Sequence, residues 1–169
     1  MRVVRAEASG DLSAIRHVNE LAFGRPNEAD LVDALRRAAG TYVSLVAEQD
    51  GKVVGHVLFT EVRVESDAGS WDALGLAPMA VLPEYQRQGI GSQLVRSGRD
   101  VCARQGHAVV VVLGHPTYYP RFGFVPAAAK GLRCEYPVPD EVFMVAELVS
   151  GALDGRTGVV KYQPEFAEV

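Results

Sequence analysis

The chain has very little cysteine: Cys102 and Cys134 are the two thiols in 169 residues. They offer neither a metal-ligand spacing nor a disulfide framework, so no metal site is expected. Basic charge is also scarce. Lys and Arg total 17 against 21 Asp and Glu, a formal net charge of −4. Without a basic excess to meet phosphates, nucleic acid is not an expected partner. No apolar run approaches the ~20 residues that a membrane helix needs, so no membrane partner is expected either. Residues Met1–Glu7 lack the apolar stretch of a secretory signal. Together with the cysteine usage, this makes a reducing, cytoplasmic location the expectation. Repeats, low-complexity tracts and Pro/Gly-rich linkers are absent as well. Length and composition fit one domain over residues 1–169, long enough for a sizeable core.

What is present is an alternation of strand and helix patterns. Residues 2–7 read as a short strand. A helix over 11–23 has Leu12, Ile15, Asn19 and Ala22 on one face and Asp11 as its cap. A second helix fits 28–39, with Asn27 as cap, a stripe of Leu31, Leu35 and Ala38, and Gly40 at its end. Tyr42–Gln49 and Lys52–Val64 are β-rich runs joined by Asp50-Gly51, a hairpin signal. Residues 65–71 read as a polar loop. Leu74–Leu82 is a strand interrupted by Pro78, which cannot donate a ladder hydrogen bond and so marks an edge or a bulge. A helix over 90–105 follows, then the apolar strand Ala108–Leu113 and strands at Val142–Leu148 and Val159–Tyr162. This order predicts a mixed α/β (α+β) layer architecture.

The most informative stretch is Gln86-Arg87-Gln88-Gly89-Ile90-Gly91-Ser92, where a strand runs through a turn into a helix. The first N–H groups of a helix have no intrahelical partner, and its dipole puts partial positive charge there. Gly89 and Gly91 let a bulky anion approach the backbone, and Arg87 adds a full charge. A phosphate-bearing small molecule is the expected ligand. A Walker loop would need a lysine after Gly91, where Ser92 stands. A dinucleotide fingerprint would need a third glycine at Leu94. The alternative for Gly89 and Gly91 is a tight turn with no ligand.

The pattern Gln/Arg-x-x-Gly-x-Gly at Gln86–Gly91 resembles the pyrophosphate-binding segment of the GNAT N-acetyltransferase superfamily. Leu76-Ala77-Pro78-Met79-Ala80-Val81 and Tyr118-Tyr119-Pro120-Arg121-Phe122-Gly123-Phe124 extend the resemblance, in particular to its bacterial YhbS-like branch, over most of residues 2–148. The resemblance implies a GNAT fold: a central twisted mixed sheet of about six to seven strands flanked by helices, with a bulged strand before the cofactor-binding helix. It implies acetyl-CoA as donor, with coenzyme A as product, and a primary amine as acceptor, in a small molecule or a peptide. The acetyl group would pass by direct attack within a ternary complex. Homodimers occur in the family, and the sequence leaves that state open.

By the same resemblance, the backbone of Met79, Ala80 and Val81 pairs with the pantetheine arm and the acetyl carbonyl. The turn Gln86, Arg87, Gln88, Gly89, Ile90, Gly91 and Ser92 holds the pyrophosphate. Tyr119 matches by position the tyrosine that protonates the departing thiolate, with Tyr118 as fallback; the alternative is a structural cluster of Tyr118, Tyr119, Phe122 and Phe124. Many members have an asparagine about two turns before the tyrosine. Here that position is Val112, followed by Gly114-His115-Pro116, so the acceptor pocket and proton route are expected to differ. His115 is a candidate base, because an imidazole titrates near neutral pH; its alternative is a turn residue. Glu48, Glu61, Asp72 and Glu84 are carboxylates that read more simply as surface groups. His17, His56 and His107 read as structural or surface residues, and Cys102 as a packed apolar group. Two other classes stand beside the enzyme: a non-catalytic acyl-CoA-binding sensor, and an unrelated nucleotide-binding domain.

Overall fold

The structure, a computed structural model, describes residues 1–38 and 40–169. They form two compact units. The first comprises residues 1–60, 77–100 and 164–169; the second comprises 61–76 and 101–163. The elements are β1 (Arg2–Ala6), α1 (Leu12–Phe23), α2 (Asn27–Ala38), β2 (Tyr42–Gln49), β3 (Lys52–Ser66), β4 (Gly69–Val81), α3 (Ile90–Arg104), β5 (Val109–Leu113), β6 (Val125–Pro126), β7 (Leu132–Cys134), β8 (Phe143–Glu147) and β9 (Gly158–Lys161). Nine strands among the described residues exceed the expected six to seven. The additional ones, β6 and β7, are too short to carry a period-2 pattern. The mixed α/β class holds.

In the first unit β1 pairs with β2 and β2 with β3, both antiparallel. Asp50 (φ 51°) and Gly51 (φ 83°) both take left-handed backbone, which makes the expected two-residue hairpin. Residues 54–60 of β3 are buried without interruption, because helices cover both faces. One face meets α1 and α2 in a core of Ile15, Leu31, Val32, Leu35, Val46 and Leu58, with Phe166 packed against it. The other face meets α3, and there glycine sets the spacing. A Cβ on Gly98 would lie 2.4 Å from the Phe59 ring; a Cβ on Gly55 would lie 3.0 Å from Leu94 and 3.1 Å from Ile90.

The helix boundaries hold to within a residue or two, with corrections in detail. The expected last residue of the second helix, Ala39, lies outside the described residues. Leu12 and Ala38 are exposed, while Val18 and Val32 take core places. Asp11 does not cap α1 with its side chain. Its carboxylate accepts from the Ala8 N–H at 2.6 Å and from Arg5 at 2.7 and 3.1 Å, since a guanidinium fork satisfies both carboxylate oxygens at once.

A polar chain crosses the first unit under α1. Arg36 donates to Glu7, the Ser44 hydroxyl donates to Glu7, and Ser44 Oγ lies 2.9 Å from His56 Nε2. The hydroxyl proton is committed to the carboxylate, so Nε2–H donates to Ser44. Nδ1 then accepts from the Asn19 amide at 3.2 Å. His56 is 0% exposed, and burial, with Arg36 adding to it, pushes its imidazole down to about 3.

In the second unit β4 runs parallel to β5 (Leu74↔Val110, Leu76↔Val112), and β5 pairs antiparallel with β8 and β8 with β6. β9 pairs antiparallel with β3 and parallel with β7. The core gathers Val62, Val64, Val109, Val111, Leu132, Phe143, Val145 and Val160. The expected loop 65–71 is a correction. β3 continues to Ser66 and β4 begins at Gly69, leaving Asp67 and Ala68 as the turn. Ser66 closes it by donating to the Gly69 carbonyl at 3.2 Å and accepting from the Ala68 N–H at 3.3 Å. The polar residues there line the open face of a strand rather than a loop.

Two outcomes follow. Gly98→Ala gains helix propensity of up to about 1 kcal/mol but drives a methyl into Phe59, which costs about 1–3 kcal/mol. A net destabilisation of about 1 kcal/mol is expected in urea unfolding, relieved in part by Phe59→Leu in the same chain. The second concerns His56. Its unfolded imidazole binds a proton near pH 6.5, and the folded one only near 3. The unfolded state holds more protons in that window, so stability falls as pH drops through it. Between pH 7 and pH 5 the wild type should lose about 2 kcal/mol more than His56→Gln does.

Candidate active site

The turn expected to hold an anion lies wholly in the first unit. After Val81, the N–H of buried Leu82 donates to the Val54 carbonyl at 2.9 Å, which ties the end of β4 to β3. Pro83–Tyr85 makes one 3-10 turn. Two side chains then bind the loop back on itself. Gln86 Nε2 donates to the Val81 carbonyl at 2.9 Å, and Gln88 Nε2 to the Glu84 carbonyl at 3.3 Å.

Arg87 has φ 63° and Gly89 has φ 83°. Left-handed backbone costs a non-glycine residue about 1 kcal/mol, so Arg87 is held there by its surroundings. Left-handed residues alternating with others turn successive N–H groups toward one concave side, the geometry of an anion nest. Gln93 N–H takes the Gly89 carbonyl at 3.0 Å, so helical bonding begins at that acceptor. Ile90 and Gly91 N–H therefore have no intrahelical acceptor. A Cβ built on Gly89 meets nothing within 4 Å, so the space beside this backbone is open. Ile90 is buried against Gly55 and fixes the helix start.

Further cations lie near the turn. Arg2 Nη1 donates to the Gln88 carbonyl at 3.1 Å, and Lys52 Nζ lies 5.6 Å from the Tyr85 ring centre. Met79 and Val81 are half-buried and Ala80 is buried. Pro78 lies two residues beyond Leu76, the last β4 residue in register with β5.

The second unit carries Tyr119 and His115. Tyr119 opens a 3-10 turn that ends at Gly123, φ 88°. Its ring packs edge-on against Tyr118 at 5.1 Å and Phe124 at 5.6 Å. A Cβ on Gly114 would lie 2.3 Å from it, so only glycine admits the ring there. Burial, with Tyr118 adding to it, pushes the Tyr119 phenol up to about 12. His115 is exposed, and its carbonyl accepts the Tyr118 N–H at 3.1 Å, which makes it a turn residue whatever else it does. Arg121 stacks on Tyr118 at 4.6 Å.

Residues 3–127 match the family model described as an acetyltransferase (GNAT) domain. The chain belongs to the GNAT acetyltransferase family. It is 46% identical over 134 residues to the uncharacterised N-acetyltransferase YjhQ of Escherichia coli K12, covering 78% of this chain and 74% of that one. It is 39% identical to the uncharacterised N-acetyltransferase YhbS of the same strain, covering 97% and 98%. The crystal structure of YhbS in complex with CoA superposes with a TM-score of 0.91, covering 98% of this chain and 92% of that one. A GNAT acetyltransferase from Brucella melitensis in complex with acetyl-CoA gives 0.80 at 33% identity, covering 98% of both chains. The expected family and its YhbS-like branch are thus both found.

Sequence reasoning about this GNAT chain missed Arg2 at the turn, because its contact bridges residues distant in sequence. The signal was the β1–β2 register that sets Arg2 opposite Gln49. Among the carboxylates weighed as bases, Glu48 is engaged by Arg5 at 3.2 Å, while Asp72 and Glu84 are exposed.

Tyr119 should stay protonated well past the ordinary tyrosine range. In a 295 nm alkaline titration the phenolate signal up to pH 11 should be the same in wild type and Tyr119→Phe. A missing tyrosine's worth of signal near pH 10 would contradict the burial described.

Proposed function

We propose that this protein is an acetyl-CoA-dependent N-acetyltransferase acting on a primary amine by direct attack within a ternary complex, with residues 1–169 working as one domain. The observation that carries the reading is the turn before α3. Two left-handed residues, an open approach at Gly89 and the Ile90 and Gly91 N–H groups without intrahelical acceptors fit a pyrophosphate. Relatives that were crystallised with CoA and acetyl-CoA support the choice among phosphate ligands.

In this reading the backbone of Gln86, Arg87, Gln88, Gly89, Ile90, Gly91 and Ser92 holds the pyrophosphate, and main-chain groups of Met79, Ala80 and Val81 hold the arm and polarise the acetyl carbonyl. Acetyl-CoA supplies the thioester that an amine attacks. Tyr119 serves the departing sulfur. A phenol near 12 facing a thiol near ~8.5 would lose about 5 kcal/mol on full proton transfer. Tyr119 therefore acts as a hydrogen-bond donor that stabilises the thiolate, not as a free acid. His115, exposed on the turn leading to it, takes the proton that the amine loses.

Calorimetric titration should give micromolar binding of acetyl-CoA, none of ATP or NAD, and loss of binding in Gly89→Asp, whose carboxylate occupies the open approach. With an accepted amine, Tyr119→Phe should lower kcat by about tenfold or more without weakening acetyl-CoA binding. Absence of acetyl-CoA binding by the wild type would overturn the reading.

A further inference from the structure

We propose that Arg2 is a positioning residue for the anion-binding turn, holding the Gln88–Gly89 peptide so that the Gly89 N–H faces the ligand. The inference rests on the acetyl-CoA reading above. Arg2 Nη1 donates to the Gln88 carbonyl at 3.1 Å, and its Nε donates to Gln49 Oε1 at 3.3 Å. Gln49 is the residue paired with Arg2 between β1 and β2. The guanidinium is therefore anchored at one end by the sheet and grips the turn with the other.

The consequence follows from peptide geometry. In a planar trans peptide the carbonyl and the next N–H point in opposite directions. Fixing the Gln88 carbonyl toward Arg2 turns the Gly89 N–H away from Arg2, and the space beside the Gly89 Cα is open, since a Cβ there would meet nothing within 4 Å. A charged donor on the carbonyl also polarises that amide and strengthens its N–H as a donor. Gln88 lies between Arg87 and Gly89, both left-handed. It is thus the hinge of the nest, and the turn has no regular ladder to hold it. Arg2 acts through the peptide and need not touch the ligand.

The test compares CoA with pantetheine, which carries no phosphate, on wild type, Arg2→Gln and Arg2→Lys. Calorimetry reads CoA, NMR titration reads pantetheine, and melting temperature reads the fold. Arg2→Gln should weaken CoA roughly fivefold with pantetheine affinity and melting temperature unchanged. Arg2→Lys should recover part of the loss, because one ammonium reaches the carbonyl without the second anchor. Equal CoA affinity in wild type and Arg2→Gln would overturn the inference and leave the functional reading standing. Equal weakening of CoA and pantetheine would overturn it too, by showing a general structural effect. A wild type that binds no CoA would remove the functional reading, and this inference with it.

Discussion

The close contact of α3 with β3 is the constraint on which the rest depends. A helix normally stands off a sheet by the length of its side chains. Here Gly98 accepts the edge of the Phe59 ring, and Gly55 accepts Ile90 and Leu94. The helix start is thereby fixed by packing. Ile90, fully packed, stands one residue after Gly89, which faces open space. A packed anchor next to N–H groups without helical acceptors suits an anion, because donors that need no reorganisation bind more strongly.

Charge is distributed to the same end. The chain carries a net −4, yet Arg2, Lys52 and Arg87 gather around the turn. Elsewhere in the first unit several charges are paired. Arg5 engages Asp11 and Glu48, Arg16 engages Asp30 and Asp33, and Arg36 engages Glu7. His56 stays neutral because burial disfavours its charged form. The polar chain from Arg36 to Asn19 orients α1 and α2 over the sheet without adding a free charge to the core.

Much of this was legible in the sequence, and the reasons differ by element. Asp50-Gly51 declared its hairpin because those two residues tolerate left-handed backbone. Helices α1 to α3 declared themselves by apolar spacing, and the turn before α3 by two glycines at a strand-to-helix junction. The resemblance of Gln86–Gly91 and Tyr118–Phe124 to GNAT segments carried the family. What escaped was long-range or short-lived in sequence: the two-residue β6, the three-residue β7, the polar outer face of the β3–β4 turn, and the grip of Arg2 on Gln88. The aromatic packing around Tyr119 had been weighed as an alternative to a role at sulfur. The structure has that packing, and a buried phenol that stays protonated is compatible with both.

The most direct test is the backbone amide spectrum of labelled protein titrated with CoA. The account predicts that the Gly89, Ile90 and Gly91 amides shift strongly downfield as the ligand saturates, because their N–H groups gain a phosphate acceptor. Saturable CoA binding that leaves those three amides unmoved would place the pyrophosphate elsewhere and contradict the account.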